Sequence, residues 1–312
     1  MSNYRNRLPQ LDSDFFLTDG GLETTMIFLN GIDLPYFAAF VLLDDDEGTA
    51  AMQDYYRSYL DIASNAGRGF IIESPTWRAN PNWGARMGLD SAALVDINRR
   101  SIEFVDALRK EYLDSDIPIV VSGNIGPSGD GYVVNEMMSV EEAAEHHSLQ
   151  AQTFADTGAD MVTAITLTYP EEAIGIVTAV QAVGLPVVIG FTTETDGCLP
   201  NGQTLRSAIE QVDAATDNGP AYYMVNCAHT DHFSHALEDG QAWAQRIRGV
   251  RANASRLSHA ELDECEVLDD GDPQEFALLN QALKERFPDL AVFGGCCGTD
   301  HRHIEETIRC IG

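Results

Sequence analysis

The sequence predicts an α/β protein folded as one domain over residues 1–312, an eight-stranded parallel barrel of the (β/α)8 type. Three observations predict it. Eight short apolar runs recur along the chain, at 15–18, 69–73, 117–122, 161–167, 186–191, 222–226, 247–251 and 290–293. Most are rich in Val, Ile and Phe, as strands of a parallel sheet covered on both faces are. Stretches with helical start signals lie between them, so strand and helix alternate. Finally, 312 residues with 44% hydrophobic content suffice for one barrel and its helical coat, and no Pro-, Gly- or Ser-rich linker divides them. An open doubly wound sheet shares the alternation and is the runner-up.

Each element has a local reason. The first run leads into Thr18-Asp19-Gly20-Gly21-Leu22-Glu23-Thr24, where two glycines permit a tight turn and close approach of backbone to a ligand. Asp19 there either points into the mouth or caps the turn. The second run ends in Glu73-Ser74-Pro75-Thr76-Trp77-Arg78, a carboxylate, an indole and a guanidinium that suit a polar or cationic ligand, or else an internal Glu73–Arg78 pair. The third leads into a loop of small residues over 123–129. Ser139 with Glu142 is a capping box opening a helix that reaches about 157, where Gly158 stops it. Helices are expected over 171–183 and 204–216 after the fourth and fifth runs. The seventh run is the weakest strand, because Arg248 and Arg251 interrupt it. Asp272-Pro273 with Glu275 supplies a cap, a first-turn proline and an N3 carboxylate, and a last helix is expected over 300–309.

Charge narrows the function. Lys+Arg 19 against Asp+Glu 49 gives a formal net charge of −30, which argues against nucleic acid or an anionic membrane as partner. No apolar run approaches the length of a membrane span, and residues 1–10 are polar rather than signal-like, so a cytoplasmic location is expected. The acidic stretch 261–272 reads as a solvated loop or as a contact within a homo-oligomer. The six cysteines are ordinary usage for this length, and reduced thiols are expected.

In a barrel, functional groups sit where the strands end. The sixth run ends Val225-Asn226-Cys227 and the eighth continues as Gly294-Gly295-Cys296-Cys297-Gly298-Thr299, so three thiols face one mouth. Three thiolates suit Zn2+ with a fourth position left open; buried packing cysteines are the alternative. His229, His232, His235, His301 and His303 read as solvated or capping, and His146 and His147 as surface residues. Cys198, Cys265 and Cys310 have no evident partner.

Taken together, these residues resemble the homocysteine S-methyltransferase family, zinc-dependent enzymes that include betaine–homocysteine and S-methylmethionine–homocysteine methyltransferases. The resemblance spans nearly the whole chain. It is carried by Asp19-Gly20-Gly21, Gly126-Pro127-x-Gly129, Val225-Asn226-Cys227, Asn253-Ala254-Ser255 and Gly294-Gly295-Cys296-Cys297-Gly298-Thr299. It implies a TIM barrel, Zn2+ held by Cys227, Cys296 and Cys297, and methyl transfer from a sulfonium or quaternary ammonium donor to a thiol, homocysteine by default, giving methionine. Asp19, Gly20, Gly21, Glu23, Glu73, Trp77, Arg78, Thr166 and Asn226 are the expected substrate contacts, with Trp77 and Tyr169 as aromatic candidates for an onium donor. The chemistry is coherent: a free thiol is mostly protonated at neutral pH, and coordination to zinc deprotonates it.

One position departs from the family. Members carry a Glu at the end of the fourth strand that holds the amino group of homocysteine, and here the matching residue is Ile165, beside Thr166. Either Glu73 or another carboxylate takes that role, or the acceptor is a thiol without an α-amino group. Arg78 suits a substrate carboxylate. The rival readings are a non-catalytic zinc- or thiol-binding barrel and a zinc hydrolase. An all-thiolate ligand set disfavours the hydrolase. A folate-fed methyltransferase would need cofactor domains beyond the barrel.

Overall fold

In the computed structural model, which describes residues 2–134 and 136–312, every apolar run carries a strand. They are β1 (Phe16–Leu17), β2 (Gly69–Glu73), β3 (Ile119–Ile125), β4 (Met161–Leu167), β5 (Val187–Phe191), β6 (Tyr222–Asn226), β7 (Ile247–Ala252) and β8 (Val292–Gly295). They pair in parallel in chain order, and β8 returns to β1 through Phe16–Val292 and Leu17–Phe293. That closing pair rules out the open sheet. Outside lie α1 (Asp46–Ala66), α2 (Ser91–Glu111), α3 (Val140–Ala155), α4 (Pro170–Ala182), α5 (Leu205–Thr216), α6 (Pro273–Arg286) and α7 (His301–Ile311). After β6 there are only short helical pieces, Thr230–Phe233 running on into a 3-10 turn at Ser234–Ala236, and Ala242–Gln245, where a full helix was expected.

The helix signals work as read. Ser139 accepts a hydrogen bond from the Glu142 N–H, and the Glu142 carboxylate accepts one from the Ser139 N–H (2.8 Å). Asp272 accepts from the N–H groups of Gln274 and Glu275 ahead of Pro273. β7 is a full six-residue strand despite its arginines. Its side chains alternate, so Arg248 faces outward and Arg251 inward.

The same alternation sorts the core. Phe16, Ile71, Val120, Met161, Val188, Tyr222, Met224 and Val292 fill the barrel. Leu17, Phe70, Ile72, Val121, Val162, Val187, Ile189, Tyr223 and Val225 face the helices. Continuing the inward parity toward the strand ends brings Glu73, Asn124, Asn226 and Arg251 to the mouth. Gly294 closes the seam between β8 and β1, because a Cβ there would strike the Thr18 hydroxyl.

One expectation about the histidines is corrected. His147 is fully buried, with Nε2 3.0 Å from the Glu172 carboxylate, because this face of α3 packs on α4. His229 and His303 take the capping role expected of them, and are buried in it: His229 Nδ1 accepts from the Asp231 N–H, and His303 closes a capping box with Asp300. Among the described residues, no helix is long and apolar enough to cross a membrane.

Candidate active site

β6 ends in a backbone reversal. Cys227 has φ +55°, a left-handed conformation uncommon outside glycine. Its N–H donates to Arg251 O (3.1 Å), and its carbonyl accepts from His259 Nε2 (2.7 Å) and Thr192 Oγ1 (3.2 Å). Next to it, Asn226 Oδ1 accepts from the Thr166 N–H and its Nδ2 donates to Thr166 Oγ1, both at 2.9 Å. From the other side, the Cys296 N–H donates to Ala252 O (2.9 Å), and the Cys297 carbonyl accepts from the Ala254 N–H (3.1 Å). Gly21 presses against this loop so closely that a Cβ would strike the Cys296 carbonyl.

These restraints bring the sulfurs of Cys227, Cys296 and Cys297 within 4.8 Å of one another. Cys227 and Cys296 are joined as a disulfide with Cα atoms 5.4 Å apart, where reduced thiols were expected. Proximity explains both states: the same sulfurs can bond each other or a cation. The set fits zinc. Two thiolates on a tetrahedral ion, each at about 2.3 Å, lie about 3.8 Å apart, and Cys227 Sγ and Cys297 Sγ are 3.8 Å apart. Burial pushes the Cys297 thiol up to about 11, so a nearby cation is what would ionise it at neutral pH. The Tyr132 hydroxyl lies 3.2 Å from Cys297 Sγ and 3.7 Å from Cys227 Sγ, and its ring stacks on His259 at 4.1 Å.

Below the sulfurs opens a cavity of about 350 Å³. Arg251 crosses its floor, 2.6 Å from Asp19 and 2.5 Å from Glu73. Tyr55 donates to Asp19 (3.0 Å) and Asn124 Nδ2 to Glu73 (2.8 Å). Burial raises both carboxyl pKa values while the Arg251 charge pulls them back down. Burial works against the Arg251 charge too, but Asp19 and Glu73 outweigh it and keep the guanidinium protonated. Of the two readings of this segment, the internal Glu73–Arg78 pair is not formed among the described residues. Arg78 instead lies between the indoles of Trp77 and Trp83, 3.8 Å from each ring centre. On the cavity wall, burial pushes Glu23 up to about 7.

A family model described as homocysteine S-methyltransferase matches residues 16–311. The chain belongs to the homocysteine S-methyltransferase family. Solved structures agree on the fold. The metallated form of the homocysteine methyltransferase MmuM from Escherichia coli is 22% identical, with a TM-score of 0.71 over 95% of this chain and 96% of that one. The oxidized form of MmuM is also 22% identical at TM-score 0.71, covering 94% of each chain. The apo form is 20% identical at TM-score 0.66, over 94% of this chain and 95% of that one. A search of curated proteins found no match.

For a member of this family, the residues divide clearly. Asp19, Gly20, Gly21, Glu23, Glu73, Trp77, Arg78 and Thr166 all line the cavity with the three cysteines. Asn226 stands behind Thr166, fully buried, and sets the β4 end rather than facing the cavity. Tyr169 is also outside the lining; it is buried, and its hydroxyl accepts from the Met138 N–H (3.0 Å). Ile165 does reach the cavity wall, so the β4 end presents an alkyl group to the cavity. Sequence reasoning missed Arg251, whose inward parity on β7 was the available signal. It also missed Tyr132, which sits in an irregular loop and carried no local signal.

Proposed function

We propose that this methyltransferase-family barrel moves a methyl group from a sulfonium or quaternary ammonium donor to the sulfur of homocysteine, giving methionine. Cys227, Cys296 and Cys297 would hold Zn2+. The observation that carries the reading is the convergence of these three sulfurs, from two distant strand ends, over a cavity of substrate size. Zinc, when bound, would supply thiolate character, keeping an acceptor sulfur anionic at neutral pH.

The chain's own residues supply the rest. Asp19 and Glu73 are both engaged by Arg251, which leaves Glu23 to meet the acceptor's ammonium in place of the carboxylate missing at Ile165. Glu23 forms no ion pair among the described residues, and a cation beside it would favour its ionised form. Trp77, Tyr132, Asp130 and Asp263 offer an onium donor aromatic faces and negative charge. The donor loses its positive charge as the methyl leaves, so the protein's task is to align two ligands and exclude water.

Metal analysis and a thiol-methylation assay on protein purified under reducing conditions test this. The parent should carry about one zinc per chain and methylate homocysteine. Cys227→Ser should lose both, and omitting reductant should block metal uptake, because the Cys227–Cys296 disulfide uses the same sulfurs. A zinc-loaded, folded parent that methylates no thiol from any onium donor would overturn the reading.

A further inference from the structure

We propose that Arg78 is the carboxylate-binding residue of this site, and that the protein selects a substrate carrying a carboxylate close to its reacting group. This deepens the methyl-transfer reading and rests on it. Arg78, Arg109 and Arg251 are each only 5% exposed. Arg109 pairs with Asp106 and Asp160, and Arg251 with Asp19 and Glu73. Arg78 forms no ion pair among the described residues. Of its five N–H donors, one is used among the described residues, from Nη1 to Gly129 O (3.0 Å). Its Nε is buried without a partner among them. Asp130 and Glu23 act on its charge only from beyond ion-pair distance, and a desolvated guanidinium with open donors gains most from a ligand that brings an anion into direct contact.

Arg78 is also held ready for such a ligand. The Trp77 and Trp83 rings clamp its plane from both sides. Trp83 Nε1 donates to the same Gly129 carbonyl (3.2 Å), so clamp and guanidinium share one anchor. The helix that carries Trp83, Pro81–Arg86, is fixed in turn. Asn80 accepts from the Trp83 N–H (3.2 Å) and donates to Pro127 O (3.1 Å). A planar fork immobilised this way suits bidentate pairing with a carboxylate, which a flexible ammonium would not match. Its place is right as well: Arg78 lines the cavity under the cysteines together with Glu23. A carboxylate at Arg78 and an ammonium at Glu23 are the two ends of an α-amino acid.

Either substrate can bring the carboxylate, and the experiment separates them. Two of the chain's three tryptophans flank Arg78, so intrinsic fluorescence reports on ligands there independently of turnover. Zinc-loaded, reduced parent protein is titrated with homocysteine and with 3-aminopropane-1-thiol, the same thiol without its carboxylate. The parent should bind homocysteine about tenfold or more tightly than the aminothiol. Arg78→Gln should erase that preference and leave the aminothiol unchanged, while Arg78→Lys should restore part of it. If the donor brings the carboxylate, homocysteine binding will not change in Arg78→Gln. The KM for glycine betaine or S-methylmethionine will then rise, and that for trimethylsulfonium will not. Equal weakening of carboxylated and uncarboxylated ligands would make Arg78 a packing residue and overturn the proposal. So would a parent that does not distinguish any such pair, a result that needs no variant to fold. Arg78-dependent binding without methyl transfer would overturn the methyl-transfer reading instead, and turnover indifferent to Arg78 would overturn this one alone.

Discussion

Arg251 shows how much one side chain organises here. The pleat of β7 turns it into the barrel, where Asp19 from the end of β1 and Glu73 from the end of β2 meet it. Removing it would leave two buried carboxylates facing one another without a counter-ion. Losing one partner of a buried ion pair costs about 3–5 kcal/mol, most of it the penalty on the charges left behind. Arg251→Met should therefore lower unfolding free energy by about that amount in denaturant titrations. Adding Asp19→Asn and Glu73→Gln should recover a large share of it, because amides need no counter-ion. Failure of the triple variant to recover stability would mean that Arg251 acts through shape rather than charge. The three cysteines and the Asp19-Gly20-Gly21 turn were legible because their spacing and flanking glycines are local. Arg251 was legible only through strand parity, and its charge made the run look weaker. The alternative of a Glu73–Arg78 pair failed because sequence neighbours compete with partners that only closure of the barrel brings near, here Arg251 for Glu73.

Between elements, the contact of α3 with α4 shows the same limit. The capping box that starts α3 is a four-residue signal and can be read directly, whereas the identity of its buried face depends on what it packs against. His147 is fully buried against Glu172, and Glu172 also accepts from the Ser128 N–H (2.7 Å), so this pair ties two helices to the loop after β3. His146 lies edge-on to His147 at 4.7 Å, and Nε2 of its ring has no partner among the described residues. Burial first, then the neighbouring His147, lowers its pKa to about 4, with Glu172 opposing. An unfolded histidine titrates near 6.5. Between pH 6.5 and 4 the unfolded chain thus binds the extra proton, and stability must fall as pH falls through that window. His146→Gln removes this proton while keeping a polar side chain of similar reach. Its melting temperature should drop less than the parent's between pH 7 and 4.5, by a few degrees for an effect on the order of 2 kcal/mol. Parallel curves for the two proteins would show that His146 is already solvated in the folded state.

At the scale of the whole molecule, no local pattern states that β8 returns to β1. The barrel followed from counting eight alternating units within 312 residues, and the β1–β8 pairing is the part that only the three-dimensional structure supplies. The acidity likewise belongs to no single element. With 49 acidic against 19 basic residues, and Arg78, Arg109 and Arg251 buried, few cations remain to neutralise the surface. Salt has two opposing effects on such a molecule. It weakens exposed pairs such as Arg57–Glu111 and Arg206–Glu210, which water already screens so that each contributes little. It also screens repulsion summed over a formal charge of −30, which opposes the compact state. The second effect should win, because the repelling charges greatly outnumber the paired ones. Melting temperature should rise steeply as NaCl goes from about 10 mM to about 150 mM, where the screening length shrinks from about 30 Å to about 8 Å, and level off thereafter. A general solvent effect would instead grow linearly to molar salt. A fall in melting temperature over the low-salt range would mean that specific surface pairs, rather than net repulsion, dominate the electrostatics of this barrel.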